Sequence, residues 1–333
     1  MPDTYRRLVL AQRPQGNVDA STLRLEEADR PVLAEGEALV EVQYLSIDPT
    51  IRTWMNDAPG YLPPIEIGAT VRSGGLGTVV ESKNDTYPVG TTVSGMLGWS
   101  ELAVISAEEP ATVVPEGIDP LPVMGVFGAT GMTAYFGLLD IGQPREGDTV
   151  VVSGAAGATG SVVGQIARIQ GAGNVVGIAG SDEKCAWLVD ELGFTAAINY
   201  RTEPVARRLH ELCPKGIDVY FDNVGGEILD AALGNLAMKA RVVICGAISQ
   251  YNERVPVGPR NYVSLIFKRA RMEGFLIFDY FDRFAEAQAT MFQWVLDGQI
   301  HHREHVVEGL EHAGDALNML FTGENMGKII VRL

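Results

Sequence analysis

The stretch Val150–Ala167, VVVSGAAGATGSVVGQIA, decides how the rest of the chain is read. A run of apolar, mostly β-branched residues gives way at once to glycine and alanine, and then to apolar residues at helical spacing. That succession reads as a buried strand, a tight turn and the start of a helix. Ala155, Gly157 and Gly160 take the G-x-G-x-x-G spacing, with alanine in the first place. Such a turn brings bare backbone N–H groups close to a diphosphate, and the helix behind it offers its positive end to the same charge. The spacing alone is weak, because tight turns occur in unrelated α/β proteins. The strand before it and the helix after it favour a dinucleotide site.

Downstream of this turn the pattern repeats. Strands are expected at 149–154, 174–180, 196–200, 216–225 and 240–247, and helices at 126–142, 158–170, 182–192, 202–213 and 227–237. Strands alternating with helices of this length predict βαβ units and a doubly wound parallel sheet. Upstream, 36–47, 71–82, 91–98 and 100–106 read as short strands separated by glycine and proline turns, which suggests a small antiparallel barrel or sandwich. Three prolines and a glycine in VVPEGIDPLP (113–122) mark the boundary between the two patterns. The segment from Gly298 onward falls outside the alternation and is expected to return to the first domain. The organisation is therefore an antiparallel catalytic domain over 1–120, a dinucleotide-binding Rossmann domain over 121–298, and a returning segment over 299–333.

Composition narrows the function classes. The chain has 333 residues, 46% of them hydrophobic, which suits about two packed domains. No apolar run approaches the roughly 18 residues of a membrane span, and the N-terminus lacks the apolar core of a signal peptide. A net charge of −16 argues against nucleic acid and anionic membranes as partners. Three scattered cysteines form no disulfide framework and suit a reducing, cytoplasmic compartment.

In an NAD site an acidic side chain stands about 20 residues beyond the glycines and binds the ribose 2′-hydroxyl. Here that count lands near Ala179 and Gly180, which are small and uncharged. Ser181 can donate a hydrogen bond to a 2′-phosphate and Lys184 can supply its counter-charge, so NADP is preferred. Asp182 and Glu183 stand against this: with a slightly longer strand, either is placed to serve as the NAD carboxylate. Their other reading is a solvated first helical turn.

Two further patterns lead elsewhere. His301 and His305 have the i, i+4 spacing of a helical zinc pair, but β-branched neighbours predict a strand, which would separate the imidazoles by about 13 Å. G-x-S-x-G would require glycine at Val151, so Ser153 is no nucleophile elbow. Residues 1–184 contain neither histidine nor cysteine, and a zinc alcohol dehydrogenase takes its catalytic ligands largely from that half. No metal is expected.

With these features the chain resembles the zinc-free medium-chain dehydrogenase/reductases, in the group of prostaglandin reductases and alkenal (curcumin-type) double-bond reductases. The resemblance runs over nearly the whole chain. It is carried by IDPTIR (47–52), GMTAYFGLLDIG (131–142), GAAGATGSVVGQIA (154–167), AGSDEK (179–184), FDNVGGE (221–227), CGAISQYN (245–252), RMEGF (271–275) and GENMGKIIVRL (323–333). It implies a Rossmann domain beside a GroES-like antiparallel β-barrel, and a homodimer. It also implies that the backbone of Gly157, Ala158, Thr159 and Gly160 cradles the pyrophosphate of NADP. Lys184 and Tyr200 would meet the 2′-phosphate, and Asn223 would lie against the cofactor. Cys245, Gly246, Ala247, Ile248 and Ser249 would form the loop under the nicotinamide, Phe275 and Leu276 its pocket, and Asn325 would reach it from the C-terminal segment.

From local sequence alone, Asn223 reads equally as a helix cap, Tyr251 as a loop tyrosine capping the sheet edge, and Cys245 as a small buried residue. Tyr61 reads as a packed loop anchor. Two departures from the group, Thr50 in place of an aromatic residue and Ala129-Thr130 in place of Met-Pro, bear on substrate shape. The activity implied is hydride transfer from NADPH to the β-carbon of an enone or alkenal. The Tyr251 hydroxyl would stabilise the enolate oxygen, an interaction strongest in the transition state. The competing readings are an NADPH:quinone reductase, which shares the fold and turn, and a non-catalytic NADPH-binding protein.

Overall fold

The structure, a computed structural model, describes residues 3–333. The chain divides into two compact units, one running up to Met124 and resuming at Glu304–Leu333, the other spanning Gly125–Arg303. The first unit contains β1 (Thr4–Leu10), β2 (Leu23–Asp29), β3 (Ala38–Ser46), β4 (Gly75–Ser82), β5 (Thr92–Gly95), β6 (Leu102–Ile105) and β7 (Thr112–Val113). The second contains β8 (Thr149–Ser153), β9 (Asn174–Ala179), β10 (Ala196–Asn199), β11 (Ile217–Asp222), β12 (Leu236–Ile244) and β13 (Arg271–Gly274). The chain then returns to the first unit with β14 (Glu304–Glu308) and β15 (Lys328–Arg332).

In the second unit all six strands are parallel, in the order β10-β9-β8-β11-β12-β13. Numbered within the unit this is 3-2-1-4-5-6, so the order reverses between β8 and β11, where open α/β sheets bind their ligands. Every residue of β8 is buried, as expected for a β-branched strand at the centre of a parallel sheet covered on both faces. The helix Ala158–Ile169 packs so closely on this layer that a Cβ on Gly164 would lie 1.9 Å from the Phe194 ring.

The first unit holds a sheet of order β14-β15-β3-β4-β5-β7, with β6 also pairing β3, around a core that includes Trp99, Leu10 and Leu45. The β1–β2 hairpin, which the sequence pattern does not reveal, is held by cross-strand pairing. Arg7 and Glu26 lie opposite in register and form an ion pair at 2.8 Å.

The boundaries differ slightly from those expected. Pro120–Met124 is a short helix of the first unit, because Met124 packs with Leu76, Val114 and Ile330. At the other junction, residues up to Arg303 belong to the second unit. Ile300 is buried, and Gln165 brackets His301 by accepting its N–H and donating to its carbonyl. The helix expected at 126–142 is α-helical over Ala129–Phe136 and continues as a π-turn over Gly137–Gly142, ending at Gln143 with φ of 47°. Arg241 closes that end: its guanidinium donates to the carbonyls of Gly142 and Gln143 and pairs with Asp148 at 2.6 Å.

Candidate active site

The turn after β8 is a backbone cradle. Gly157 is the N-cap of the helix Ala158–Ile169, with Ala158, Thr159 and Gly160 in its first turn. A Cβ on Gly160 would fall 2.4 Å from the Gly154 carbonyl oxygen, so only glycine lets the helix approach the strand this closely. The left-handed turn position is Gly154, with φ of 56°. The alanine at the first fingerprint place is therefore accommodated: Ala155 is buried, and its N–H donates to the Ile178 carbonyl.

At the end of β9, Ser181 caps the helix Asp182–Asp190 by accepting the Lys184 N–H. The Tyr200 hydroxyl and ring edge lie over Gly180, where a Cβ would meet them at 3.0 and 3.1 Å. The Arg201 guanidinium stands 5.9 Å from the Tyr200 ring centre. Burial, and then the charge of Arg201, hold the Lys184 ammonium below its usual range. Two cations thus share this corner, an arrangement that a dianionic phosphate would relieve. Arg201 escapes the motif reading, because only the fold of the turn places it beside Lys184.

At the end of β11 the organising group is Asp222, which the sequence reading passed over in favour of its neighbour. Its side chain is buried and meets four neutral donors: the hydroxyls of Ser153 and Tyr220 and the N–H groups of Val224 and Gly225. Burial raises its carboxyl above the ordinary range, against the pull of these hydrogen bonds. Asp222, rather than Asn223, satisfies the turn that leads into the helix Gly226–Leu233. Asn223 instead ties β11 to β8, donating its N–H to Ser153 Oγ at 2.9 Å and its amide to the Ser153 carbonyl at 2.7 Å.

The loop after β12 lies along this same turn. The N–H groups of Cys245 and Gly246 donate to the Asp222 carbonyl, that of Ile248 to Asn223, and that of Ser249 to Val224. The Tyr251 hydroxyl accepts the Ala247 N–H at 3.1 Å, which holds the phenol oxygen over its own loop. The Cys245 thiol is pushed up to about 12, first by burial and then by Asp222, so it is no nucleophile at neutral pH. Phe275 packs over Gly137, while Leu276 is more than a third exposed.

Asn325 lies in the first unit, buried, with its amide on the Gly327 carbonyl, whereas the other residues expected at the site lie in the second. In the first unit Thr50 Oγ1 is hydrogen-bonded to the Tyr61 hydroxyl, and the Tyr61 ring meets Trp54 edge-on. Two buried cations hold the IDPTIR segment there. Arg52 donates to the Gly16 and Pro14 carbonyls, and Lys328 binds the Ile47 carbonyl and Asp48. Among the described residues no three His, Cys, Asp or Glu side chains stand close enough to hold a metal ion. His305 lies in β14, and His301 precedes it beside Trp187 and Glu191.

A parallel sheet in this order, with a glycine cradle at its switch point, defines a dinucleotide-binding α/β protein. Two family models match: one described as the N-terminal domain of oxidoreductase over residues 6–113, the other as zinc-binding dehydrogenase over 158–294. The NADPH-dependent curcumin reductase of Escherichia coli (strain K12) is 41% identical over 98% of this chain and 96% of its own. Prostaglandin reductase 1 of Bos taurus is 41% identical over 94% of each chain. The crystal structure of CurA in complex with NADPH from Vibrio vulnificus superposes with a TM-score of 0.93 at 42% identity, covering 98% of both chains.

The chain belongs to the medium-chain dehydrogenase/reductases, in their zinc-free reductase group. The zinc in the second family description does not fit these residues, since the first 184 contain no histidine or cysteine.

Proposed function

We propose that this chain is an NADPH-dependent reductase of α,β-unsaturated ketones and aldehydes in which Tyr251 stabilises the enolate oxygen. At the coarser level it is an NADP-dependent oxidoreductase acting on carbon–carbon double bonds. The cradle fits the cofactor: Gly157 caps the helix Ala158–Ile169, whose first-turn N–H groups have no intrahelical partner, and Gly160 lets that helix end lie against Gly154. Gly157–Gly160 would hold the pyrophosphate on backbone N–H groups and the helix end. Ser181, Lys184 and Tyr200 would hold the 2′-phosphate, and residues 245–249, with Asn223, Phe275 and Leu276, the nicotinamide end. When bound, NADPH supplies the hydride that adds to the β-carbon.

Charge then gathers on the substrate oxygen as the C=C bond is spent. A neutral hydroxyl donor stabilises that oxygen more as the charge develops than before it. The observation that carries this role is the Ala247–Tyr251 hydrogen bond. By accepting an N–H, the phenol oxygen is oriented, and its own O–H is polarised toward donation. Solvent delivers the proton to the α-carbon, so one hydride and one proton complete the reduction. Tyr251→Phe should lower enone turnover at least tenfold with the NADPH Kd nearly unchanged; unimpaired turnover would remove Tyr251 from the mechanism. Product identification over alkenals, enones and quinones separates saturated carbonyl products from quinone cycling or from binding without turnover.

We further infer a cytoplasmic homodimer. All three cysteines are free thiols, and no helix among the described residues is long and apolar enough to cross a membrane. The edge strand β13 is exposed along its whole length, and Met272, Leu276, Phe278 and Phe281 expose apolar surface on and after it. An open edge of this kind is a template for strand pairing, which a second copy would complete. Light scattering showing a monomer at micromolar concentration would refute the dimer.

A further inference from the structure

Asn199 ends β10, beside Ala179 at the end of β9 in the parallel register. Only 5% of it is exposed, and its hydrogen-bonding groups are committed. Its amide Nδ2 donates to Asp182 Oδ1 at 2.7 Å, and its Oδ1 accepts the Arg201 N–H at 3.1 Å. Its N–H donates to Glu203 Oε1, and its carbonyl accepts the N–H groups of Thr202 and Glu203. A single buried side chain therefore grips both an acid of the first helical turn after β9 and the backbone of the turn that carries Tyr200 and Arg201.

Those two groups have opposite effects on a 2′-phosphate. Asp182 opens the helix after β9, next to Ser181 of the proposed 2′-phosphate site, and a carboxylate near a phosphate dianion repels it. The Arg201 guanidinium lies 5.9 Å from the centre of the Tyr200 ring, which itself lies over Gly180, so it adds a second positive charge at the corner that holds Lys184. We propose that Asn199 is the positioning residue that sets NADPH preference over NADH, clasping the Asp182 carboxylate with one end of its amide and fixing Arg201 beside Lys184 with the other. The inference rests on the 2′-phosphate site proposed above for Ser181, Lys184 and Tyr200. Asn199 itself touches no cofactor atom in this scheme; its effect runs through its two partners.

The test is equilibrium binding of NADPH and of NADH to the full chain by calorimetry, which needs no turnover. The wild type should bind NADPH far more tightly than NADH. Asn199→Ala should shrink that preference at least tenfold by weakening NADPH while sparing NADH. Adding Asp182→Ala to it should recover a large part of the lost NADPH affinity. If Asn199→Ala does not fold, Asn199→Asp serves: it keeps an oxygen for the Arg201 N–H, sets a like charge against Asp182, and should also shrink the preference. Equal weakening of both cofactors, or an unchanged preference, overturns the proposal and leaves the NADP site standing. No recovery in the double variant overturns the clasp on Asp182. A wild type that binds both cofactors equally overturns the NADP site and this inference with it.

Discussion

The two ends of the parallel sheet hold acids in opposite ways. Near the amino end of β8, Asp148 is paired with Arg241, whose guanidinium also satisfies two carbonyls at the end of the π-turn. At the carboxyl end of β11, Asp222 is placed more deeply than Asp148, yet the donors that meet it are hydroxyls and backbone N–H groups without charge. That ion pair locks three segments together. A carboxylate held by neutral donors keeps its net charge and ties two turns and a loop into one piece, all of them on the side where open α/β sheets bind ligands. The difference separates what holds the fold from what shapes the site.

Replacing each acid's support in turn tests this contrast. Asp222→Ala orphans four donors and frees the turn that carries Asn223, so a loss of about 3 kcal/mol in urea unfolding is expected, with the NADPH Kd raised a hundredfold or more. Arg241→Met takes the counter-charge from the partly buried Asp148 and the donors from two carbonyls, and should cost about 2 kcal/mol, yet the NADPH Kd of the folded protein should stay within about twofold. If both variants damage binding alike, the two ends are not distinct in role. Gly160→Ala pushes a methyl group against the Gly154 carbonyl. It should cost about 1–2 kcal/mol and raise the NADPH Kd at least tenfold by calorimetry, whereas an unchanged Kd would move the pyrophosphate elsewhere.

The smallest effect is in pH. Because burial raises the Asp222 carboxyl above its ordinary 3.8, its contribution to stability is complete below that value and is lost as pH rises through the folded value. Asp222→Asn has no such titration. Its urea midpoint should therefore gain on that of the wild type as pH rises above about 4. A gap that does not move with pH would mean that the carboxyl ionises as easily in the folded chain as in the unfolded one.

Much of this site is legible in sequence because its parts are local. The cradle, Ser181 and the cation at Lys184 lie within short stretches whose spacing is set by one turn or one helix, although the capping role of Ser181 emerges only in the structure. What escapes is set by strand order. Asp222 looks like the neighbour of Asn223 until β8 and β11 are side by side, and only then does Ser153 reach it. Asn199 and Arg201 gain their meaning when β10 lies against β9. Gly154 is likewise hidden behind the fingerprint, which assigns the turn to position 155 although the left-handed residue is the one before. In the first unit the β1–β2 hairpin goes unseen because its strands carry arginine and glutamate instead of clean alternation. The π-turn at 137–142 has no sequence pattern of its own and follows from glycines packed under Phe275 and against Val219 and Val243.

The three cysteines carry a last consequence. Burial pushes the thiols of Cys185 and Cys213 up to about 11 and that of Cys245 up to about 12. At neutral pH about one in ten thousand or fewer of these groups is a thiolate, the form that adds to electrophiles. The alkenals and enones proposed above as substrates are electrophiles of the kind that alkylate thiolates, and keeping all three cysteines as thiols lowers the chain's exposure to that side reaction.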